Sequence, residues 1–539
     1  MRKRLTSFFG RLFKRAPDPA PTAANLPRLE PDEKDLKKKT AKGVMWAMLE
    51  QVLTQGLSFT LSIVLAHLLP PSDHGRVALV VIFITVSQIL ISSGLGQALV
   101  QKKSVDDLDF TMVFYLSLIV SAVLYVILFF AAPSIATFYK DESLCLILRV
   151  LSVTLIFFAI NSVQNAEIAR AMRFDISFWI SCVTSLTSLA VGVVLAFSGF
   201  GVWSMIWAMV LSSLMGVIVR WFFLKWKPQL KFDFSRVKPL FCFGWKMAAS
   251  SLVNVSLRNL YGVLIGRMYS PAELAFVNKS RNLPDLMRTC FNSVFTQTGL
   301  AALSRMQDER DRMREALRRL VFMNVFCVLP LILIFALFSR DLVLLLYGSQ
   351  WTTCAPYLRF FCIGTAFAII EDVNSVSALA QGRSDLVLKI SIGRMVFSLI
   401  ILFVFLPYGA FAWILACAFI YGPISLWIDI WLARSMVGYR YRTVICDVLP
   451  TILLFLTVCI PAWAVKFIIV GDSLGFLLAR LFTQFALIGI LYLGGAILFR
   501  LRAMCEISAF ISPKLEVRFP AWSHIRRYLE RGKTAAVRN

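Results

Sequence analysis

Long apolar segments recur along the whole chain of 539 residues. A helix needs about 20 predominantly apolar residues to span the hydrocarbon of a bilayer, whereas a membrane barrel would show alternating segments of about 10 residues. The pattern here fits helices throughout. It predicts about fourteen spans, at residues 43–69, 76–98, 110–132, 145–168, 176–198, 202–224, 241–267, 273–299, 320–346, 355–379, 386–406, 410–433, 447–470 and 474–499. We therefore expect an all-α polytopic membrane protein.

The formal net charge of +25 is distributed unevenly. Basic residues concentrate in the two tails and in alternate loops, which is the pattern of the positive-inside rule rather than of nucleic-acid binding. This asymmetry predicts both termini and the Arg305–Arg319 loop on the cytoplasmic side, with Lys140 and Ser349 outside. All predicted external loops are short, so neither face has room for a soluble catalytic domain.

The sequence repeats itself at a nearly constant offset. Gly199-x-x-x-Trp203 matches Gly409-x-x-x-Trp413, 210 residues later. Six spans per copy return the chain to the same side, so the repeat is parallel and predicts two six-helix lobes related by a pseudo-twofold axis along the membrane normal. The predicted organisation is a basic N-terminal tail at 1–40, an N-lobe at 41–226, a C-lobe at 227–435, two further spans at 436–500 and a basic amphipathic cytoplasmic tail at 501–539.

Predicted spans seven and eight are unusually polar and positive. Their polar residues recur every third or fourth position, so each set lies on one helical face. An ion facing lipid is costly, which favours a water-filled, cation-lined cavity that receives an anionic group. The candidate residues are Arg258, Lys246, Asn254, Lys279, Arg281 and Arg288. The alternative is that these residues pair structurally, as Arg281 and Asp285 could at positions i and i+4.

The first half of the chain carries polar faces with fewer positive charges. Amide side chains offer both a donor and an acceptor, which suits hydroxyl-rich ligands such as sugars. They suit helix–helix contact inside a bundle equally well. The sugar-facing candidates are Glu50, Gln51, Gln55, Asn161, Gln164 and Asn165.

Two adjacent carboxylates, Glu371 and Asp372, fall within predicted span ten. At membrane depth such a pair indicates a Na⁺ or proton site, or partners for Arg359 or Arg394. No nucleotide-binding loop or hydrolase motif is present. The eleven cysteines form no CxxC pair and the three histidines do not cluster, so we expect neither a metal site nor a cofactor.

Several motifs resemble those of the polysaccharide export flippases, the lipid-linked oligosaccharide branch of the multidrug/oligosaccharidyl-lipid/polysaccharide superfamily. The resemblance covers about residues 37–435. Its motifs lie at 43–46, 65–75, 299–305, 345–351 and 378–385, the last reading ALAQGRSD.

The resemblance implies a V-shaped transporter with two lobes and alternating access. Its substrate would be a polyprenyl-pyrophosphate-linked sugar repeat unit, moved from the cytoplasmic to the outer leaflet of a bacterial inner membrane. Na⁺ or H⁺ could drive the cycle, and a polysaccharide polymerase and export machinery would act beside it. In relatives with fourteen spans, the last two help to form a groove for the lipid tail.

Two other functions remain open from the sequence. A small-molecule efflux antiporter of the same superfamily would favour cationic drugs, which the positive residues of spans seven and eight would repel. A membrane polysaccharide polymerase or ligase would need a substantial external loop, which the sequence lacks.

Overall fold

The computed structural model describes residues 33–92, 106–224, 226–229, 234–307, 309–469 and 474–508, and these residues contain no β-strand. The predicted tails at 1–40 and 501–539 therefore lie largely outside the described residues. The long helices are α1 (Glu33–Leu68), α2 (Pro71–Ser92), α3 (Asp107–Tyr139), α4 (Ser143–Ser152), α5 (Thr154–Arg170), α6 (Phe174–Phe197), α7 (Val202–Phe223), α8 (Phe234–Met268), α9 (Pro271–Ser304), α10 (Arg310–Leu337), α11 (Ser339–Tyr347), α12 (Cys354–Ala380), α13 (Ser384–Phe405), α14 (Ala410–Ala416), α15 (Gly422–Val437), α16 (Tyr441–Ile468) and α17 (Leu474–Leu498).

Twelve stretches of helix within the described residues are long and apolar enough to cross a membrane. They correspond to predicted spans one to six and nine to fourteen, which confirms the polytopic all-α class. Predicted spans seven and eight fall on α8 and α9, which are 35 and 34 residues long. These two helices carry the polar and charged faces described above and are not among the twelve, so the total of fourteen spans stays a prediction.

The chain divides into two compact units, residues 1–275 and 276–539. The boundary by contacts lies after α8, because that helix packs against α2 and α3. The predicted lobes divide earlier, at 226/227, because the sequence repeat assigns span seven to the second copy. The lobe boundaries thus describe the repeat and stay a prediction, while the units describe the packing.

Unit 1 is built around α6, which packs against α1 and α7. A second contact set joins α5 to α3 and α7. Aromatic residues seal one end of it, where the ring of Trp226 lies 6.1 Å from that of Phe110 and 5.8 Å from that of Phe114. The outer faces of these helices expose large apolar side chains. The polar residues between the helices are therefore the candidates for function in unit 1.

The turn after α3 is tied to the start of α2 by one ion pair, and a second pair within α2 holds the same arginine. Arg76 Nε lies 2.8 Å from Asp141 Oδ2, and its Nη1 lies 3.0 Å from Asp73 Oδ1. Burial disfavours the charged form of Asp141, but hydrogen bonds from Ser143 and Arg76 outweigh it, so the pKa of this carboxyl lies below its ordinary value. This turn contains Lys140, which the charge pattern places outside.

Unit 2 is centred on α12, which packs against α10 and α15. An apolar cluster lies at the contact, with Val321, Val373 and Ala433 each 0% exposed. This core supports the polar side chains that α12, α13 and α15 present to one another.

Helices α16 and α17 form a pair that is joined to α10 and α11 by two ion pairs, of which the second is fully buried. Asp447 on α16 accepts two hydrogen bonds from the guanidinium of Arg318 on α10, at 2.6 and 2.7 Å. Arg480 on α17 donates to Asp341 on α11 at 2.7 Å, and both residues are 5% exposed. These contacts indicate that α16 and α17 are an integral part of unit 2.

The sequence repeat reappears in the positions of helix ends. α1 and α8 end at Leu68 and Met268, 200 residues apart, and α6 and α13 begin at Phe174 and Ser384, 210 residues apart. These matches support the predicted parallel repeat, whose rotation axis stays a prediction.

Candidate functional site

The face of α8 that carries Asn254 and Arg258 is exposed. The two residues lie one helical turn apart, as their spacing predicted. Within the described part of the chain, no residue forms an ion pair or hydrogen bond with the Arg258 side chain. If α8 spans the membrane as the sequence predicts, this guanidinium requires water or an anionic partner, so this face is the strongest candidate for binding an anion. The side chain of Lys246, on the same helix, lies outside the described residues.

Lys279 on α9 is enclosed by aromatic rings. Its Nζ lies 5.3 Å from the ring centre of Tyr347 and 5.5 Å from that of Trp351, and the residue is 7% exposed. Cation–π attraction accounts for this placement. As a contact to substrate Lys279 stays a prediction, because in this conformation its ammonium group faces the rings.

The other two cations of α9 are paired with carboxylates. Arg281 Nε lies 3.0 Å from Asp285 Oδ2 on the same helix. Arg288 donates two hydrogen bonds to Asp372 on α12, both at 2.8 Å. The alternative of structural pairing thus describes both arginines in this conformation, and their role toward a ligand stays a prediction.

Arg394 on α13 joins two further helices. Its Nη1 lies 2.6 Å from Asp429 Oδ2 on α15 and 3.4 Å from Glu371 Oε2 on α12. The Asp429 side chain is 0% exposed. The sequence proposed Arg359 or Arg394 as a partner for the Glu371–Asp372 pair, and Arg394 is the one that binds Glu371.

Asp429 did not appear among the sequence candidates. An acidic residue inside predicted span twelve was a signal that could have found it, because intramembrane carboxylates are rare and need partners. We call the ionisable residues of this part of unit 2 the α9–α15 network. They are Arg281, Asp285, Arg288, Glu371, Asp372, Arg394 and Asp429. Three arginines face four carboxylates, so the network carries one excess negative charge when all groups are ionised.

In unit 1, two of the predicted sugar-facing amides are held by an arginine. Arg220 on α7 donates to Asn161 Oδ1 at 2.8 Å and to Asn165 Oδ1 at 3.1 Å, both on α5. Asn165 is nevertheless exposed. Sequence reasoning missed Arg220, because an arginine near the end of a predicted span is ordinarily an interfacial charge.

Glu50 also binds neighbouring helices. Its Oε1 accepts hydrogen bonds from Ser177 at 2.9 Å and from Ser181 at 2.6 Å, which ties α1 to α6. One residue further along α1, Gln51 is exposed, and Gln55 is half-buried. Of the α1 candidates, Gln51 is therefore the one best placed to contact a ligand.

Gln164 and Asn374 occupy equivalent positions in the two copies, 210 residues apart. Both are 0% exposed, and neither amide has a hydrogen-bond partner for its nitrogen or its oxygen among the described residues. Gln164 therefore does not reach a surface in this conformation.

The described residues contain no group of three or more His, Cys, Asp or Glu side chains arranged to hold a metal ion.

The comparisons with known proteins agree with this architecture. A family profile described as "Polysaccharide biosynthesis protein" matches residues 64–356, more than half of the chain. The teichuronic acid biosynthesis protein TuaB of Bacillus subtilis is 23% identical over 355 residues, which are 66% of this chain and 73% of TuaB. The succinoglycan biosynthesis transport protein ExoT of Rhizobium meliloti is 23% identical over 371 residues, 65% of this chain and 75% of ExoT. The lipopolysaccharide biosynthesis protein WzxC of Escherichia coli is 22% identical over 368 residues, 66% of this chain and 73% of WzxC.

Solved structures share the fold. The lipid II flippase MurJ in an inward closed conformation superposes with a TM-score of 0.67 at 13% identity, covering 85% of this chain and 99% of MurJ. An inward-facing multidrug resistance transporter of the MATE family superposes with a TM-score of 0.56 at 16% identity, covering 72% of this chain and 94% of that protein. The resemblance seen in the sequence motifs is confirmed: the chain is a multi-pass membrane protein that belongs to the polysaccharide biosynthesis protein family, with the fold of the multidrug/oligosaccharidyl-lipid/polysaccharide superfamily.

Proposed function

We propose that the protein is a flippase for a polyprenyl-pyrophosphate-linked oligosaccharide. It moves the repeat unit across the bacterial inner membrane by alternating access, for export of a polysaccharide of exopolysaccharide, capsule or O-antigen type. The observation that carries the proposal is the exposed Arg258 on α8, whose side chain has no ion-pair or hydrogen-bond partner among the described residues, in a chain whose relatives are named for polysaccharide biosynthesis and its transport. The protein acts as a transporter and not as an enzyme.

Arg258 is the residue we assign first to the pyrophosphate. Its planar guanidinium presents N–H donors in a fork that matches phosphate oxygens two at a time. Asn254, one turn away, adds a neutral donor on the same face. Lys279, Arg281 and Arg288 are engaged with other side chains in this conformation, so we assign them to the substrate only in a different state of the cycle.

The sugar part of the substrate would meet the amide-bearing helices of unit 1. Gln51 and Asn165 are exposed and offer donors and acceptors for hydroxyl groups. Arg220 fixes the orientation of Asn165 by binding its carbonyl oxygen. Glu50, Gln55 and Asn161 then support the exposed residues, and Gln164 stays inside.

A small-molecule efflux antiporter is the second candidate, favoured by the fold shared with a MATE transporter. A cationic drug would be repelled by an unpaired guanidinium, because two like charges in a low-dielectric site raise each other's energy. The flippase proposal explains Arg258, and the efflux proposal does not.

Deleting the gene in its source bacterium tests the proposal directly. We expect loss of the surface polysaccharide and accumulation of the polyprenyl-pyrophosphate-linked repeat unit, since synthesis continues while transfer to the outer leaflet stops. Both are measured by extracting cell-surface polymer and membrane lipid. Normal polymer together with raised sensitivity to cationic drugs would favour the efflux antiporter instead.

We infer that the α9–α15 network takes up the coupling ion. Its excess of one carboxylate is expensive inside a membrane unless a proton or Na⁺ balances it. Asp429 is the candidate acceptor, because its Oδ1 is buried without a hydrogen-bond partner among the described residues. Glu371 and Asp372 lie beside it in the same network.

The coupling is measured by following export at varied Na⁺ concentration and pH. We expect the wild-type rate to depend on one of the two ions, and the Asp429→Asn variant to lose that dependence because its amide carries no charge to balance. Glu309→Gln is the matched control, since Glu309 lies in an exposed pair with Arg312. If the variant keeps the full ion dependence, the network is structural only.

We further infer that both termini lie in the cytoplasm and that a polysaccharide polymerase with its export machinery receives the product. The orientation follows from the basic loops. Single-cysteine labelling in a cysteine-free background measures it. We expect a cysteine at Lys140 to react with an impermeant reagent in intact cells and one at Arg312 to be protected; the reverse pattern would invert the topology.

A further inference from the structure

A polar cavity of about 490 Å³ lies in unit 2, away from the residues assigned to substrate and ion. Its volume suits a small polar headgroup. The residues that line it are Gln307, Arg310, Gln381, Arg383, Ser435 and Met436. Two guanidinium groups and two amides thus face one space, and no carboxylate of a described residue contributes to its wall.

Four helix ends form the frame of this cavity. Arg310 is the first residue of α10, Arg383 precedes the first residue of α13, Gln381 follows the last residue of α12, and Met436 lies in the last turn of α15. The ends of α10, α12 and α15 rest on the apolar core of unit 2, which includes Met313 at 0% exposure. The cavity is therefore preformed by packing and does not need a ligand to assemble it.

The arginines keep most of their donors available. Arg310 Nη2 donates to the carbonyl oxygen of Ser435 at 3.1 Å, which holds the guanidinium across from α10 to α15. Arg383 Nε donates to Asp385 Oδ1 at 3.3 Å. A guanidinium has about five N–H donors, so each contact uses a small part of the capacity for binding oxygen. Both arginines are exposed and can be reached by a ligand.

The amides set the second requirement on a ligand. Gln381 Nε2 donates to the carbonyl oxygen of Met436 at 3.4 Å, which anchors this side chain against α15. Gln307 is exposed beside it. Amides next to guanidinium groups suit a ligand that carries hydroxyl groups beside an anionic oxygen cluster.

We propose that this cavity binds the phosphate of a hydroxylated headgroup, supplied by an anionic membrane lipid such as phosphatidylglycerol. The basic loops place the cavity at the cytoplasmic surface, where anionic lipids attract positive side chains. The arginines bind the phosphate and the glutamines bind the glycerol hydroxyls. The site is separate from the pyrophosphate assignment, because it shares no residue with it.

The full-length protein, purified in a neutral detergent, is titrated with short-chain phosphatidylglycerol and with short-chain phosphatidylcholine. We expect the double variant Arg310→Gln, Arg383→Gln to bind phosphatidylglycerol about tenfold or more weakly than the wild type, because two charge-assisted contacts are lost. The matched control is Arg312→Gln, Arg319→Gln, which removes the same charge from exposed positions on α10 outside the cavity. Its affinity should change less than about twofold, as surface pairs contribute little.

Equal losses in both double variants, or equal affinity of the wild type for the two lipids, would overturn the proposal in favour of diffuse surface attraction. Thermal melting of each variant shows that it is folded, and Arg310→Lys, Arg383→Lys should bind with intermediate affinity because it keeps the charge without the fork. Competition with glycerol 3-phosphate identifies the source of the phosphate. Displacement of the lipid extends the site to soluble phosphates, and no displacement restricts it to lipid.

Discussion

We expect cells that carry the Arg258→Ala variant to export no measurable polysaccharide, although their membrane contains a normal amount of the variant protein. The guanidinium is exposed and has no ion-pair or hydrogen-bond partner among the described residues, so its removal should cost the folded protein little stability. The pyrophosphate would lose a two-point charged contact, which corresponds to a fall of about 100-fold or more in transport. Surface polymer measured against membrane-inserted protein separates the two quantities.

Three further variants show which property of Arg258 export depends on. Arg258→Lys should restore export only in part, because an ammonium group keeps the charge but lacks the fork. Asn254→Ala should lower export less than Arg258→Ala does, since it removes a neutral donor. Arg312→Ala, in an exposed ion pair, is the control for loss of a positive charge. Normal export by Arg258→Ala at normal abundance would show that the α8 face does not bind substrate.

The second large effect concerns folding. Arg394→Leu should remove most of the folded protein, because it leaves Asp429 and Glu371 buried without their shared partner. Breaking a buried ion pair from one side costs about 3–5 kcal/mol, a large part of the stability of an ordinary domain. The yield of monodisperse protein in detergent and its melting temperature measure the loss.

The double variant Arg394→Leu, Asp429→Leu tests the cause. Replacing both partners with apolar residues removes the unpaired charge, so we expect much of the folded yield to return. Arg312→Leu, which breaks an exposed pair, should melt within a few degrees of the wild type. If the double variant is no better than Arg394→Leu, the arginine stabilises unit 2 by packing rather than by charge.

Hydropathy alone located twelve of the spans, because each crossing must bury an apolar segment and the bilayer fixes its length. The same rule predicted spans seven and eight on α8 and α9, but these two helices are not among the twelve that are apolar enough to cross a membrane. A span that lines a polar space has the composition of a soluble helix, and composition does not say which solvent it faces. The two helices that carry the proposed anion-binding residues are therefore also the two whose position in the membrane stays a prediction.

The partners of the charged residues could be predicted only in part. Periodicity placed Arg288 and Asp285 on one face of α9, but Arg288 binds Asp372, 84 residues away. A helical pattern gives the direction of a side chain along its own axis and says nothing about which helix stands opposite. Arg394 could be proposed for Glu371 because buried charges need partners, whereas Asp429 required the packing of α15 against α12.

The ion pairs that join α16 and α17 to α10 and α11 constrain any gain or loss of these two helices during evolution. Cutting the chain after α15 would leave Asp341 and Arg318 without the residues that neutralise them. A shorter ancestor must have carried uncharged residues at those positions, or changed them when the hairpin was added. A stable derivative that lacks α16 and α17 would likewise need Arg318 and Asp341 replaced together with the deletion, and grafting these two helices onto a relative without them would require introducing both.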